Sequence, residues 1–254
     1  MRFLKLIALS AAGLVLAACG AQAAPGESVT TAPTTVDTTP TYPAPDKRIA
    51  LTFDDGPSVT TMVEVLDILK EHDVKATFFI VGKKINGSTE KVLKRAIEEG
   101  HEIGHHGMNH VHMNELSEEE VLKDIDDCQE KVKEVTGVDM YYFRPPFGKV
   151  NARMHELIQM PFVTASITCG DGTVGSLAAD RAYRVTSAAY DNAIVLMHCF
   201  EGNSETVEAL KTVIPELKMQ GYEFVTLTEL FTYDGGEVPQ PGTGNIVLDK
   251  NKVK

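Results

Sequence analysis

Between Asp54 and His198 the chain carries five short polar clusters, each where an apolar run ends. They are Thr52-Phe53-Asp54-Asp55-Gly56-Pro57, His106-Gly107-Met108-Asn109-His110, Arg144-Pro145-Pro146-Phe147-Gly148, Cys169-Gly170-Asp171-Gly172 and Leu196-Met197-His198. Together they supply carboxylates, imidazoles and a guanidinium, the inventory of a metal-assisted hydrolase. Five of the eight histidines lie between His101 and His112. On a helical turn His106 and His110 would face one ion together, but His101 and His105 share that spacing, so spacing alone does not select the pair. The Asp-Gly-Pro run after Asp54 is good turn chemistry. Two adjacent carboxylates, however, repel and call for a cation. One Asp with two His makes a three-ligand site with an open position, the catalytic rather than the structural pattern. The other Asp is then free to act as general base. The rigid Pro145-Pro146 turn aims Arg144, which beside Asp54 would keep that carboxylate ionised and oriented. The backbone N–H of Phe147 offers a donor to an oxyanion. His198 reads either as a core histidine or as a general acid for a leaving amine, its ring held by Asp171.

These clusters need a frame. Strand-like apolar runs occur at 49–53, 76–81, 102–104, 140–143, 162–167, 194–197 and 224–227. Helical periodicity fills the gaps: Val63, Leu66, Ile68 and Leu69 pattern one helix, and Val92, Leu93, Ala96 and Ile97 another, stopped by Gly100. Ser117 and Glu120 form a capping box that opens a helix to about Val135. Further helices fit 152–159, 179–190 and 205–220, with Pro215 expected to kink or break the last. Strands alternating with helices argue for a parallel sheet. Closed, it is a TIM-type barrel with one unit fewer than the usual count, and the clusters fall at the strand C-termini, where such barrels place their active sites.

The chain has 254 residues and a formal net charge of −12, enough length for one sizeable core and the wrong sign for binding nucleic acid. Arg2, Lys5 and the apolar run 6–18 read as a targeting segment that ends at Leu16-Ala17-Ala18-Cys19. Small residues before a cysteine resemble the lipobox of bacterial lipoproteins, with lipidation of Cys19 the expected consequence and an extracytoplasmic, membrane-anchored domain the expected location. The layout expected is 1–18 signal peptide, 19–46 a Thr/Pro-rich tether, 47–234 the catalytic domain, and 235–254 a flexible tail with a short strand at 246–248. Cys128, Cys169 and Cys199 remain, an odd number, so outside the cytosol at least one thiol is unpaired. Cys128 reads as a small buried hydrophobe. Cys169 and Cys199 are open to a disulfide, to free thiols, or to interference with a metal.

In order and spacing, the Thr52–Pro57, His106–His110, Arg144–Gly148 and Leu196–His198 motifs resemble the polysaccharide deacetylases of carbohydrate esterase family 4, the NodB-homology domain. Gly100-His101-Glu102-Ile103-Gly104 and Gly221-Tyr222-Glu223-Phe224-Val225-Thr226-Leu227 match as well. The resemblance covers about 47–233. It implies a distorted (β/α)7 barrel as a single catalytic domain. It implies Asp54 as base, Asp55, His106 and His110 as ligands of Zn2+ or another divalent ion such as Co2+ or Ni2+, and His198 as acid. Arg144 would orient Asp54, Asp171 would orient His198, and Leu196, with Pro145 and Phe147, would line the substrate pocket. The implied reaction removes N-acetyl groups from a polysaccharide containing N-acetylglucosamine, peptidoglycan before chitin oligomers, by a monomer. The family's fourth motif, D-x-x-D-W, is altered here: Thr168 replaces the first Asp and Gly172 the Trp that walls the acetyl pocket. His105 stands where Asn is common and could compete as a ligand. Two other readings stay open: an O-acetyl esterase on xylan or another glycan, and a non-catalytic glycan-binding lipoprotein.

Overall fold

The computed structural model describes residues 42–242 and 244–246. The signal segment, Cys19, most of the tether and the end of the tail lie outside the described residues. The chain alternates as β1 (Lys47–Gly56), α1 (Thr61–Glu71), β2 (Thr77–Ile80), α2 (Thr89–Glu98), β3 (Glu102–His105), α3 (Glu118–Thr136), α4 (Ala152–Leu157), β4 (Phe162–Val163) and β5 (Ile167–Thr168). It continues as α5 (Ala178–Ala188), β6 (Ala193–His198), α6 (Ser204–Met219), β7 (Tyr222–Phe224), α7 (Leu227–Thr232) and β8 (Asn245–Ile246). All strand pairs are parallel, in the order β3-β2-β1-β6-β5, with β7 against the start of β1 and β8 beside β4. Single bridges from His105 to Phe143 and from Phe143 to Phe162 carry the wall from β3 to β4. This is a distorted (β/α)7 barrel, closed in part by bridges rather than by full ladders. Among the described residues no helix is long and apolar enough to cross a membrane.

Two apolar layers hold the frame. Leu51, Phe53, Phe78, Val195 and Met197 face the helices and pack on Leu66, Leu69, Leu93, Val132, Leu210 and Ile214. Ala50, Phe79, Val163 and Ile194 fill the barrel interior with Tyr142 and Leu227. Each fully buried Leu, Ile or Phe contributes roughly 1.5–3 kcal/mol relative to exposure. Gly104 is required by this packing, because a Cβ there would lie 2.6 Å from the Phe79 ring.

Four expectations need correction. The run 140–143 pairs only through single bridges at Phe143, and Pro145 and Pro146, having no N–H, keep the ladder from extending further along the chain. The run 162–167 is two strands: Thr164 N–H bonds Ile246 O at 3.0 Å, whereas Ser166 N–H bonds Ile194 O at 2.9 Å, so the chain changes neighbours between them. The last strand ends at Phe224, and Thr226 with Glu229 forms a capping box that opens α7 instead. Pro215 neither breaks nor ends α6. A proline costs a helix interior about 3 kcal/mol, and burial of Val213, Ile214 and Leu217 around it outweighs that cost. Ser117 and Glu120 do form a capping box on α3.

Candidate active site

β1 and β6 are in register, pairing Thr52 with Leu196 and Asp54 with His198. Alternate residues of neighbouring parallel strands share a face, so these four side chains line the barrel mouth from two adjacent strands. Asp55 would ordinarily point the opposite way. A register shift between Phe53 and Gly56 and a φ of +66° at Asp55 bring its carboxylate round beside Asp54. Aspartate tolerates this left-handed conformation better than most residues.

The histidine pair is not helical. His106 follows β3, and the chain then turns through Gly107 (φ +79°) and His110 (φ +53°). Asp124 on α3 clamps the turn, accepting from Met108 N–H at 2.6 Å, Asn109 N–H at 3.1 Å and Asn109 Nδ2 at 2.9 Å. A Cβ on Gly107 would lie 2.9 Å from an Asp124 oxygen. So bent, the loop brings His110 Nε2 to 3.1 Å and His106 Nε2 to 3.8 Å from Asp55 Oδ1. Ligand atoms of Asp55, His106 and His110 lie within 4.8 Å of one another. His106 Nδ1 bonds Arg144 O at 2.7 Å, which directs the Nε2 lone pair toward the cluster. Burial lowers the His110 pKa despite the opposing Asp55 charge, which favours the neutral, ligating ring. One carboxylate and two imidazoles suit a divalent cation such as zinc, so the residues present fit a metal.

The other early histidines are accounted for. His105 is fully buried, with Nε2 donating to Ile125 O at 3.0 Å and Nδ1 accepting from Gly107 N–H at 2.9 Å. Burial pushes its pKa down to about 4. With both nitrogens engaged it braces the loop and does not compete as a ligand. His101 Nδ1 accepts from Ala76 N–H at 3.2 Å, away from the cluster.

Arg144 donates from Nη1 to Asp54 Oδ1 at 2.8 Å and to Thr52 Oγ1 at 2.7 Å, and from Nε to Val163 O at 3.1 Å. Asp54 and Arg144 are each only 4% exposed. Asp54 Oδ2 lies 3.7 Å from His106 Nε2, so one carboxylate oxygen is anchored and the other faces the cluster. Across the cleft Asp171 accepts at Oδ1 from His198 Nδ1 at 2.7 Å and at Oδ2 from His198 N–H at 2.7 Å. Burial opposes the charged forms of both. The hydrogen bonds and charge of the pair overcome it, so Asp171 is lowered and His198 raised relative to their ordinary values.

These groups line one cavity of about 610 Å³, together with Pro145, Phe147, Leu196, Gly172 and Arg181. Phe147 is 54% exposed, and its ring stacks on His112 at 4.2 Å between centroids. A Cβ on Gly172 would meet only His198 Cε1, at 3.9 Å, so the cavity is open beside the acid where the resemblance implies a wall. Thr168 caps its own turn, accepting from Gly170 N–H at 3.2 Å. The three cysteines among the described residues, Cys128, Cys169 and Cys199, are free thiols and buried. Cys199 packs under Asp54, its Sγ 3.4 Å from the Asp54 carbonyl oxygen, and does not meet Cys169 in a disulfide. Sequence reading missed Thr52, Asp124, Arg181, Asn203 and Thr206. Their types are common and their spacing is uninformative; only Thr52 carries a signal, being two residues from Asp54 on a strand.

A parallel (β/α) barrel with a carboxylate–imidazole cluster at its strand C-termini is a hydrolase type of site whose residues fit a metal. Comparison with known proteins makes the assignment. The profile of the family "Polysaccharide deacetylase" matches residues 41–162. The chain is 42% identical over 189 residues to a bifunctional xylanase/deacetylase of Pseudobutyrivibrio xylanivorans, covering 74% of this chain and 31% of that protein. It is 36% identical over 197 residues to a peptidoglycan-N-acetylglucosamine deacetylase of Bacillus cereus, covering 75% of this chain and 91% of that one. Among solved structures, the Xyl-CE4 domain of a multidomain xylanase from the hindgut metagenome of Trinervitermes trinervoides superposes with a TM-score of 0.76 at 38% identity, over 79% of this chain and 97% of that chain. A family 4 acetyl xylan esterase from Clostridium thermocellum, in complex with a cobalt ion, gives 0.74 at 37% identity, over 78% and 96%. The chain spans only 31–39% of the length of the first curated relatives it matches. The chain belongs to the polysaccharide deacetylase family.

Proposed function

We propose that this domain hydrolyses N-acetyl groups on a polysaccharide containing N-acetylglucosamine, peptidoglycan first and chitin oligomers second, and releases acetate. The observation that carries the reading is the convergence of Asp55, His106 and His110 between Asp54 on one side and the Asp171–His198 pair on the other. The relatives support it, since those from Bacillus cereus and Listeria monocytogenes are named as peptidoglycan-N-acetylglucosamine deacetylases.

Asp55, His106 and His110 would hold a divalent cation, which would supply Lewis-acid polarisation of an acyl carbonyl and a lowered pKa of water. The chain's own groups handle the protons. Asp54, with Oδ1 tied to Arg144, takes a proton from the attacking water through Oδ2. His198, held at Nδ1 by Asp171, delivers a proton from Nε2 to the leaving nitrogen as the C–N bond breaks. Water and amide thereby become acetate and a free amine. Phe147 N–H is the donor assigned to the oxyanion, and Pro145 and Leu196 are assigned to the acyl group and sugar.

The test is acetate release from peptidoglycan, chitin oligomers and acetylated xylan by the zinc-loaded protein, with and without chelator. We expect release from the N-acetylated polymers, abolished by chelation and lowered by about 10²–10⁴-fold in Asp54→Asn. No release from any polymer sinks the reading. A second reading, O-deacetylation of xylan, draws on the relatives described as a xylanase/deacetylase and an acetyl xylan esterase. Faster release from xylan than from either N-acetylated polymer selects it.

We also propose the layout of signal segment 1–18, tether 19–46, catalytic domain 47–234 and tail 235–254, with lipidation of Cys19 placing the domain outside the cytoplasm at a membrane. Mass spectrometry for a diacyl group on Cys19, and loss of membrane association in Cys19→Ser, test it. A soluble, unmodified Cys19 overturns it.

A further inference from the structure

Arg181, on α5, is 5% exposed. Among the described residues no carboxylate lies within ion-pair distance of it, and a buried cation without a counter-ion is costly. Its hydrogen bonds show what that cost secures. Nε donates to Ser176 Oγ at 2.9 Å, and Nη1 donates to Asn203 Oδ1 at 2.6 Å and Thr206 Oγ1 at 2.7 Å. A guanidinium has donors only, so both partners must accept from it. The consequence is directional. Because Oδ1 of Asn203 faces Arg181, its Nδ2 faces the other way, toward His198 O at 2.9 Å and Asp171 Oδ2 at 3.4 Å. Because the Thr206 hydroxyl accepts from Arg181, its single proton goes to Asp171 Oδ2 at 2.9 Å. With His198 N–H, three donors now fill Oδ2, and Oδ1 remains for His198 Nδ1. Without Arg181, Asn203 Oδ1 and the Thr206 hydroxyl lose the donor that fixes them from behind, and only the contacts to His198 O and Asp171 still hold the two side chains in place.

We propose that Arg181 is a positioning residue. It sets the hydrogen-bond polarity of Asn203 and Thr206 so that both donate to Asp171, and through Asp171 it holds His198 in the orientation that protonates the leaving nitrogen. This rests on the reading of His198 as general acid. The geometry assigns Arg181 no contact with the reacting atoms.

The decisive comparison sets an N-acetylglucosamine oligomer, whose amine must be protonated to leave, against 4-nitrophenyl acetate, whose phenolate leaves without a proton. In Arg181→Met, kcat on the oligomer should fall about 30-fold, a part of the 10²–10⁴-fold that general-acid catalysis supplies and that imperfect positioning erodes. KM should change less than about threefold, and ester hydrolysis less than about threefold. The far-downfield 1H NMR resonance of the His198 Nδ1 proton, which needs no substrate, should shift or broaden beyond detection. Arg181→Lys should restore part of the oligomer rate. Thr206→Val, which keeps the arginine and removes one relayed donor, should show the same split between substrates with a smaller loss, and it tests the idea should Arg181→Met fail to fold. Equal losses on both substrates, or an unmoved Nδ1 proton in a folded variant, overturn the proposal. Absence of amide hydrolysis by the unaltered protein sinks the general-acid reading instead, and the proton resonance still reports whether Arg181 governs the pair.

Discussion

His198 keeps its proton against burial because Asp171 is ionised beside it. The two shifts have opposite linkage signs. His198 is raised above the usual 6.5, so its contribution to stability is complete below that value and is lost as pH rises through the folded pKa. Asp171 is lowered below the usual 3.8, so its contribution is present above that value and is lost as pH falls through the folded pKa. Between these limits the pair is intact. We expect the alkaline limb of kcat/KM to lie above pH 6.5. In Asp171→Asn, burial acts on His198 unopposed by its partner, and the limb should move to lower pH by about one unit or more. A pH–rate profile with chitin oligomers checks this, and an unmoved limb contradicts the assignment. The Arg144–Asp54 pair is the second ionic contact of the site. Both groups are buried, so Arg144→Ala leaves a carboxylate without its partner and should destabilise the fold by about 3–5 kcal/mol, measurable by denaturant unfolding.

At the scale of elements, the loop after β3 is decided by α3. Its turn uses positive φ at Gly107 and His110, and its backbone N–H groups at Met108 and Asn109 are satisfied by Asp124 rather than by helical bonds. Asp124 touches neither histidine ring, yet it determines where both point. We expect Asp124→Ala to weaken zinc binding about 10–100-fold, the usual cost of losing an outer support of a metal site. Competition against a chromogenic chelator measures it. Unchanged affinity would mean that His105, which bonds Gly107 N–H from within β3, suffices alone. The bulge in β1 does comparable work, since a regular strand would send Asp55 to the opposite face from Asp54.

For the whole molecule, the candidate ligands come from two segments, the end of β1 and the loop after β3, that meet only in the folded barrel. A cation bound there therefore stabilises the native state and not the unfolded chain. Zinc at a hundred times its Kd should add about 2.7 kcal/mol and raise the Tm, and the increment should vanish in Asp55→Ala. Thermal unfolding with and without chelator measures it; an equal rise in Asp55→Ala would place the ion elsewhere. The cavity is likewise a property of the assembled barrel, since its lining is drawn from β1, β6, the loop after β3, the turn at Pro145 and the segment before α5.

Much of this protein was legible one segment at a time. Apolar periodicity located most helices and strands, the Ser117 capping box marked the start of α3, and five polar clusters pointed to the barrel mouth. These signals are local: a cap, a period or a turn residue acts within a few positions of itself. The Thr226–Glu229 capping box is equally local, but the apolar run around it carries the stronger strand signal. What the residues alone left open was which histidines converge, whether Cys169 and Cys199 join, and which groups brace the site. Folding settled these. His105 and His106 are adjacent in sequence, yet one turns into α3 and the other into the mouth, because neighbouring strand residues face opposite sides. Asp124 and Met108, like Arg181 with Asn203 and Thr206, meet across intervening chain. Such contacts are decided by how layers pack, and no spacing rule in the sequence encodes them.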